Sequence, residues 1–182
     1  MSSSQSIALV GMPGAGKSAV GKELGRRLQR AFADSDVVVE QRIGCSIREY
    51  FEREGEAAFR QLEEQVLAEL GAQGSGVVAT GGGIVIRPAN RHCLQQSFRV
   101  VYLHAAPEDL YRRLRHDTKR PLLQVADPLA RLRELYAARD GLYREVADAV
   151  VETGRASVGA VVADVQRQLQ AASTGRGAGA GL

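Results

Sequence analysis

The chain of 182 residues has no tryptophan, and aromatic residues make up only 5% of it. It therefore offers little of the aromatic surface on which single-stranded nucleic acid stacks. The chain also lacks a large excess of one charge, because 24 basic residues are interspersed with 21 acidic ones and the net charge is only +3. A nucleic-acid-binding surface normally needs a concentrated basic patch. We expect no nucleic acid among the partners.

Cysteine is equally rare. Cys45 and Cys93 are the only two cysteines, and their spacing matches no metal-binding motif. We expect reduced thiols, as in most cytosolic chains. The N-terminal residues lack the basic and apolar stretches of a secretory signal, and no apolar run is long enough to span a membrane. We therefore expect a cytoplasmic monomer with no membrane partner.

Short Val-rich apolar segments alternate with segments of helical periodicity, which predicts a doubly wound α/β fold with a five-stranded parallel sheet and helices on both faces. Strands are predicted at 7–10, 31–34, 77–80, 100–104 and 149–151. Helices are predicted at 19–29, 37–43, 47–53, 56–70, 87–96, 107–114, 128–139 and 158–170. Residues 1–170 then form one domain. Residues 171–182, rich in Ala, Gly, Ser and Thr, are predicted to be disordered.

A phosphate-binding loop (P-loop) is predicted at residues 11–18, GMPGAGKS, which match G-x-x-x-x-G-K-S/T between a predicted strand and a predicted helix. In that context backbone N–H groups and the helix N-terminus converge on an anion. Lys17 then reaches the outer phosphates, and the Ser18 hydroxyl binds Mg²⁺. The alternative is a plain glycine turn, which does not account for the agreement of position, spacing and context. We expect nucleoside triphosphate binding and a fold of the P-loop kinase type.

Other candidate residues follow neighbouring strands, whose carboxyl ends meet at the ligand-binding edge of such a sheet. Asp34 and Asp36 lie two residues apart and would face the same side of an extended chain. One could serve Mg²⁺ and the other could accept a hydrogen bond or proton from an acceptor hydroxyl; alternatively, one caps the next helix. The Gly81-Gly82-Gly83 segment could let a ligand press against the backbone, or could be only a flexible turn.

Three arginines complete the candidate set. Arg60 and Arg139 carry guanidinium groups suited to bidentate binding of a carboxylate or phosphate. The alternative is that both are ordinary surface residues, as most arginines are. The basic segment 116–126 contains Arg120 followed by Pro121 and lies between two predicted helices. We interpret it as a lid that closes over the P-loop and supplies Arg120 to the transferred phosphoryl group; the alternative is a solvated loop.

Taken in order, these stretches resemble the shikimate kinase family over about residues 5–170. The matching segments are 11–18, 32–40, 44–51, 55–63, 81–83, 120–123 and 139–143. The resemblance implies ATP-dependent phosphorylation of the 3-hydroxyl of shikimate, a step toward aromatic amino acids, with ATP as co-substrate and Mg²⁺ as cofactor.

The resemblance also implies roles for particular residues. Asp36 would orient or deprotonate the attacking hydroxyl, and Lys17 and Arg120 would neutralise the transferred phosphoryl group. For the acceptor it implies that Arg60 and Arg139 bind the shikimate carboxylate. Gly82 and Gly83 would donate hydrogen bonds from the backbone, and Phe51 and Phe59 would form an aromatic wall. For the nucleotide it implies a set consisting of Gly14, Ala15, Gly16, Lys17, Ser18, Ala19, Arg113 and Arg120, with Arg113 stacked on adenine. Mg²⁺ would be served by Ser18 directly and by Asp34 through water.

The sequence departs from the family pattern at two places. Ala19 stands where a threonine often follows the P-loop serine, and residues 153–158 lack the basic residue and proline that often help to frame adenine. Two other functions are alternatives. One is a P-loop kinase acting on gluconate or a nucleoside monophosphate, and the other is a regulatory module that binds nucleotide without turnover.

Overall fold

The computed structural model describes residues 5–117 and 124–176, with side chains up to residue 172. The five strands found in these residues are all parallel and are hydrogen-bonded in the order β2-β3-β1-β4-β5. They are β1 Ser6–Val10, β2 Phe32–Asp34, β3 Val77–Ala79, β4 Phe98–His104 and β5 Ala149–Glu152. The predicted fold class is confirmed.

Eight helices in the described ranges connect or follow the strands. They are α1 Lys17–Leu28, α2 Ser35–Ile43, α3 Ile47–Glu54, α4 Glu56–Gln73, α5 Pro88–Ser97, α6 Pro107–Leu114, α7 Pro128–Val146 and α8 Val158–Arg176. Parallel strands are joined by right-handed crossovers, and the connection from β1 runs along the sheet in the opposite direction to the later ones. Helix α1 therefore packs with α8, whereas α4 packs with α5.

Two predicted helix ends are wrong. Helix α7 does not stop at Arg139 but continues to Val146, because a glycine at position 141 costs only a modest amount of helix stability and Tyr143 and Val146 bury their side chains. Helix α8 continues to Arg176, so residues 171–176 are helical rather than disordered. The rest of the predicted tail lies outside the described residues.

The sheet is the centre of the core. Every residue of β1 and β3 is buried, and Val100 to Leu103 of β4 are all fully buried. Strands that are covered on both faces have continuous apolar sequences, and this pattern made the strands predictable from the sequence. In the described part of the chain no helix is long and apolar enough to cross a membrane.

Candidate active site

A cleft of about 400 Å³ opens at the carboxyl ends of β1, β2 and β3. Its lining combines the P-loop with the residues that follow the two neighbouring strands: Pro13, Gly14, Gly16, Lys17, Ser18, Ala19, Asp34, Asp36, Val37, Thr80, Gly81 and Gly82. The sheet thus brings together predicted site residues from three separate parts of the sequence. This is the edge where doubly wound sheets bind ligands.

The P-loop is shaped by its glycines and by Lys17. Gly14 and Gly16 have φ values of +84° and +89°, in the left-handed region that favours glycine. A Cβ atom at Gly14 would also lie only 2.8 Å from Cγ of Leu114. The Lys17 ammonium donates hydrogen bonds to the carbonyl oxygens of Gly11 (2.7 Å) and Met12 (2.9 Å), so it is folded back across the loop. Because α1 begins at Lys17, the ammonium and the helix N-terminus are carried by the same loop, and a helix N-terminus of this kind favours an anion.

Ser18 and Asp34 lie next to each other at the mouth of the cleft. The Ser18 hydroxyl donates to Oδ2 of Asp34 at 2.5 Å. The other carboxylate oxygen of Asp34 accepts from the N–H groups of Asp36 (3.0 Å) and Val37 (3.4 Å), and so caps α2. Asp34 is therefore the residue of this pair that caps the next helix, one of the alternatives that the sequence left open. A hydroxyl and a carboxylate are hard oxygen donors of the kind Mg²⁺ binds beside nucleotide phosphates.

The protein offers few ligands for a Mg²⁺ ion at this site. Within 5–117 and 124–176 no cluster of three or more His, Cys, Asp or Glu side chains could hold a metal ion. Mg²⁺ commonly keeps several waters and takes one or two carboxylates plus substrate phosphates. The donor set of Ser18 and Asp34 suits a cation that arrives with its nucleotide.

Asp36 reaches the cleft from a helix and not from a strand. Strand β2 ends at Asp34, so Asp36 lies in the first turn of α2, and the prediction that both carboxylates extend from one side of a strand is wrong. Its Oδ1 would lie 2.7 Å from a Cβ atom at Gly81. Burial raises the pKa of Asp36 to about 6, and the negative charges of Asp34 and Glu63 add to the effect, while Lys17 opposes it.

Arg60 is not a surface residue. Its side chain is only 13% exposed, and it donates to the buried Glu63 at 3.0 Å. Its Nε is buried without a hydrogen-bond partner among the described residues and lies 3.6 Å from a Glu56 carboxylate oxygen. Burial raises the pKa of Glu63, against the attraction of Arg60 and Arg139. A guanidinium held in this way keeps donors available for an anionic ligand.

Sequence reasoning assigned no role to Glu63. The signal was present, since a glutamate three positions after Arg60 on a helix lies on the same face. Its near-complete burial was not visible in the sequence, because Glu is usually exposed.

Phe51 and Phe59 form a wall beside Arg60. Their ring centroids are 5.8 Å apart, and the Arg60 guanidinium carbon lies 5.1 Å from the centroid of Phe59. Phe59 is buried, whereas Phe51 is 37% exposed. One aromatic ring therefore supports the guanidinium while the other stays accessible.

Both arginines converge on the glycine turn after β3. A Cβ atom at Gly83 would lie 2.8 Å from Nη2 of Arg60. One at Gly82 would lie 3.5 Å from Nη1 of Arg139 and 3.0 Å from Cδ of Pro13. Arg139 is half-buried on α7. The turn is thus closely packed, and the interpretation as a merely flexible loop does not hold at Gly83.

Arg113 lies at a second, smaller cavity of about 190 Å³ on the other side of the P-loop. Its guanidinium donates to the Gly14 carbonyl (3.1 Å), to the Thr153 hydroxyl (3.2 Å) and to the Gly154 carbonyl. It thereby ties the P-loop to the turn between β5 and α8. Arg120 and Pro121 of the predicted lid lie outside the described residues.

Comparison with known proteins agrees with the resemblance seen in the sequence. The family model for shikimate kinase matches residues 13–170. A shikimate kinase of Paracidovorax citrulli is 56% identical over 170 residues, which cover 92% of this chain and 93% of that protein. One from Burkholderia lata is 52% identical over 166 residues, covering 91% of this chain and 90% of the relative.

Solved structures give the same result. The shikimate kinase from Acinetobacter baumannii in complex with shikimate matches with a TM-score of 0.88 and 41% identity, covering 92% of this chain and 94% of that one. A gluconokinase from Sinorhizobium meliloti matches with a TM-score of 0.57 and only 17% identity, over 96% of this chain and 97% of that one. This second likeness is one of fold alone.

Proposed function

This chain belongs to the shikimate kinase family, and we propose from that membership how its own residues divide the work of phosphoryl transfer. The reaction is the ATP-dependent phosphorylation of shikimate at its 3-hydroxyl, which yields shikimate 3-phosphate and ADP and serves aromatic amino-acid biosynthesis. The observation that carries the proposal is the convergence of the P-loop, a carboxylate of raised pKa and two arginines around one glycine turn.

The acceptor carboxylate is bound by Arg60 and Arg139. Arg60 pairs with the buried Glu63, and the charge of Arg139 also reaches that carboxylate, so a substrate carboxylate would be a second anion for the two guanidinium groups. Gly82 and Gly83 donate from the backbone, because glycine has no side chain of its own to cover its N–H group. Phe51 and Phe59 contact the apolar face of the ring.

Asp36 orients the attacking hydroxyl and accepts its proton. With a pKa of about 6 it is largely ionised at neutral pH but still basic enough to take a proton as the oxygen attacks. The hydroxyl oxygen forms a bond to the γ-phosphorus while the bond to the leaving ADP oxygen breaks. The proton passes to the Asp36 carboxylate.

Lys17 and the P-loop amides bind the β- and γ-phosphates and stabilise their charge in the transition state. Ser18 would ligate Mg²⁺ directly, and Asp34 would do so through water. When bound, the cation neutralises charge on the phosphate oxygens. Arg120 is proposed to add a further positive charge at the transferred group, and Arg113 to stack on adenine at the smaller cavity. The monomeric state and the cytoplasmic location remain predictions from the sequence.

The direct test is to measure ATP consumption by the purified protein with shikimate, with gluconate and with no acceptor. We expect turnover with shikimate and only background rates in the other two reactions. Preferential turnover of gluconate would favour the sugar-acid kinase alternative. Nucleotide binding without consumption of ATP in any reaction would favour a regulatory module.

A further inference from the structure

Tyr143 makes a contact with the glycine turn that the proposed mechanism does not use. This tyrosine lies on α7, one turn after Arg139, and its side chain is fully buried. Its hydroxyl donates a hydrogen bond of 2.5 Å to the carbonyl oxygen of Gly82. A residue in the interior of a helix therefore holds the backbone of the acceptor site.

That hydrogen bond acts on the orientation of the Gly83 N–H. The Gly82 carbonyl and the Gly83 N–H belong to one planar peptide unit, and no cis peptide bond occurs among the described residues. In a trans peptide these two groups point in opposite directions. Neither glycine has a side chain that would restrain this peptide by itself. The Tyr143 hydroxyl thus adds a restraint to a turn that the Ile84 N–H also closes by its hydrogen bond to the Gly81 carbonyl (3.1 Å).

The Gly83 N–H is the group that this restraint would serve. Gly83 is buried, and none of the described residues accepts a hydrogen bond from its N–H. A buried N–H without a partner is costly, which favours a ligand as its acceptor. It lies beside Arg60, since a Cβ atom at Gly83 would meet that guanidinium.

The ring of Tyr143 is held firmly enough to act in this way. It packs against the buried ring of Tyr102 with centroids 4.9 Å apart, and the Tyr102 hydroxyl donates to Asp140 at 2.9 Å. Burial raises the pKa of Tyr143 to about 12, with Arg139 acting in the opposite direction. The hydroxyl therefore remains protonated, and a donor, at any pH at which the protein would be assayed.

We propose that Tyr143 is a positioning residue for the acceptor, whose hydroxyl holds the Gly82–Gly83 peptide so that the Gly83 N–H faces the substrate beside Arg60. The same hydrogen bond couples this peptide to the helix that carries Arg139. The inference rests on the proposed function, because the acceptor it concerns is shikimate.

The variant Tyr143→Phe removes only the hydroxyl. We expect kcat/KM for shikimate to fall about tenfold, the loss typical of one well-formed hydrogen bond, mainly through a higher KM. The KM for ATP should stay within about twofold, because the P-loop is not touched. The matched control is Tyr136→Phe on the same helix, whose hydroxyl contacts His104 instead, and it should leave both parameters unchanged.

Two kinetic outcomes would overturn the proposal. One is a shikimate kcat/KM in Tyr143→Phe that equals the unmodified value. The other is an equal loss toward shikimate and ATP, which would indicate a general structural role. Absence of shikimate turnover by the unmodified protein would instead reject the proposed function itself.

If Tyr143→Phe does not fold, the unmodified chain still provides a test. In protein labelled with ¹⁵N-glycine, saturation with shikimate should shift the Gly83 amide resonance strongly and leave that of the distant Gly44 in place. A Gly83 resonance that does not respond to bound shikimate would show that its N–H does not face the substrate and would overturn the proposal.

Discussion

The Ser18 hydroxyl donates a 2.5 Å hydrogen bond to Asp34, a residue whose other carboxylate oxygen caps helix α2. One side chain thus links the first turn of α1 to the first turn of α2 across the mouth of the cleft. The capping role of Oδ1 and the proposed metal-binding role of Oδ2 belong to different oxygens of one carboxylate, so they can be separated by mutation.

Asp34→Asn should impair Mg²⁺ use without destabilising the fold. Asparagine caps a helix as well as aspartate, so the free energy of unfolding should stay within about 0.5 kcal/mol. Loss of the negative charge should raise the Mg²⁺ concentration for half-maximal turnover by at least about fivefold. Asp34→Ala is the control, because it should also lose about 1 kcal/mol of stability with its cap. An unchanged Mg²⁺ titration would remove Asp34 from the metal site.

Asp36→Asn tests the proposed base. Asp36 does not cap α2, so the substitution leaves the cap intact while kcat falls by roughly 10²–10⁴. In the unmodified protein kcat/KM for shikimate should decline as the pH falls below about 6, because a protonated carboxyl cannot accept the hydroxyl proton. The variant should lack this acidic limb. If the variant keeps the acidic limb of the pH profile, that limb belongs to an ionisable group other than Asp36.

The same variant should be more stable than the unmodified protein at neutral pH. Burial raises the pKa of Asp36 from 3.8 to about 6, so the folded state binds the proton more tightly than the unfolded state. Stability therefore declines as the pH rises through that interval. Replacing the buried charge should raise the free energy of unfolding at pH 7 by roughly 1–3 kcal/mol. Denaturant unfolding at pH 4 and pH 7 measures the difference in the free energy of unfolding between the variant and the unmodified protein. This difference should be smaller at pH 4.

Arg139→Lys should weaken acceptor use far more than ATP use. Lysine keeps the charge but loses the planar fork that binds a carboxylate with two hydrogen bonds. We expect kcat/KM for shikimate to fall by at least about tenfold while the KM for ATP changes little. The control is Arg131→Lys on the same helix, at an exposed ion pair with Glu134. Equal kinetics in both variants would exclude Arg139 from the acceptor site.

Lys17→Met should nearly abolish turnover with little change in thermal stability. The ammonium lies on the P-loop and is proposed to bind the phosphates, where a preorganised cation contributes roughly 10²-fold or more to the rate. Lys22→Met on the exposed part of the same helix is the matched control and should remain active. Retained activity in Lys17→Met would contradict the P-loop assignment.

Gly83→Ala should disturb the acceptor site through Arg60. The new Cβ would lie 2.9 Å from the guanidinium carbon, so the arginine has to move. We expect at least about a tenfold loss in kcat/KM for shikimate. Gly141→Ala is the control: nothing lies within 4 Å of its Cβ position, and in the interior of α7 it should stabilise the protein by about 0.5–1 kcal/mol. Comparable activity of the two variants would contradict the close contact at Gly83.

Much of the fold was predictable because its signals are local. Strands buried on both faces are continuous apolar runs, and the P-loop is a contiguous pattern whose glycines and lysine act within a single turn. The end of α7 was not predictable from the same kind of signal. Gly141 is a usual helix breaker, and only the packing of Tyr143 and Val146 against the sheet outweighs it.

By itself the sequence determined that this chain is a parallel α/β protein with a phosphate-binding loop, since both follow from periodicity and short-range pattern. The tertiary structure decided which polar groups meet. It assigned the cap to Asp34 and left Asp36 half-buried with a raised pKa, paired Arg60 with the buried Glu63, and placed Tyr143 against Gly82. These contacts join residues from separate helices, strands and turns. Burial and charge at such points depend on packing between elements, which no local pattern in the sequence records.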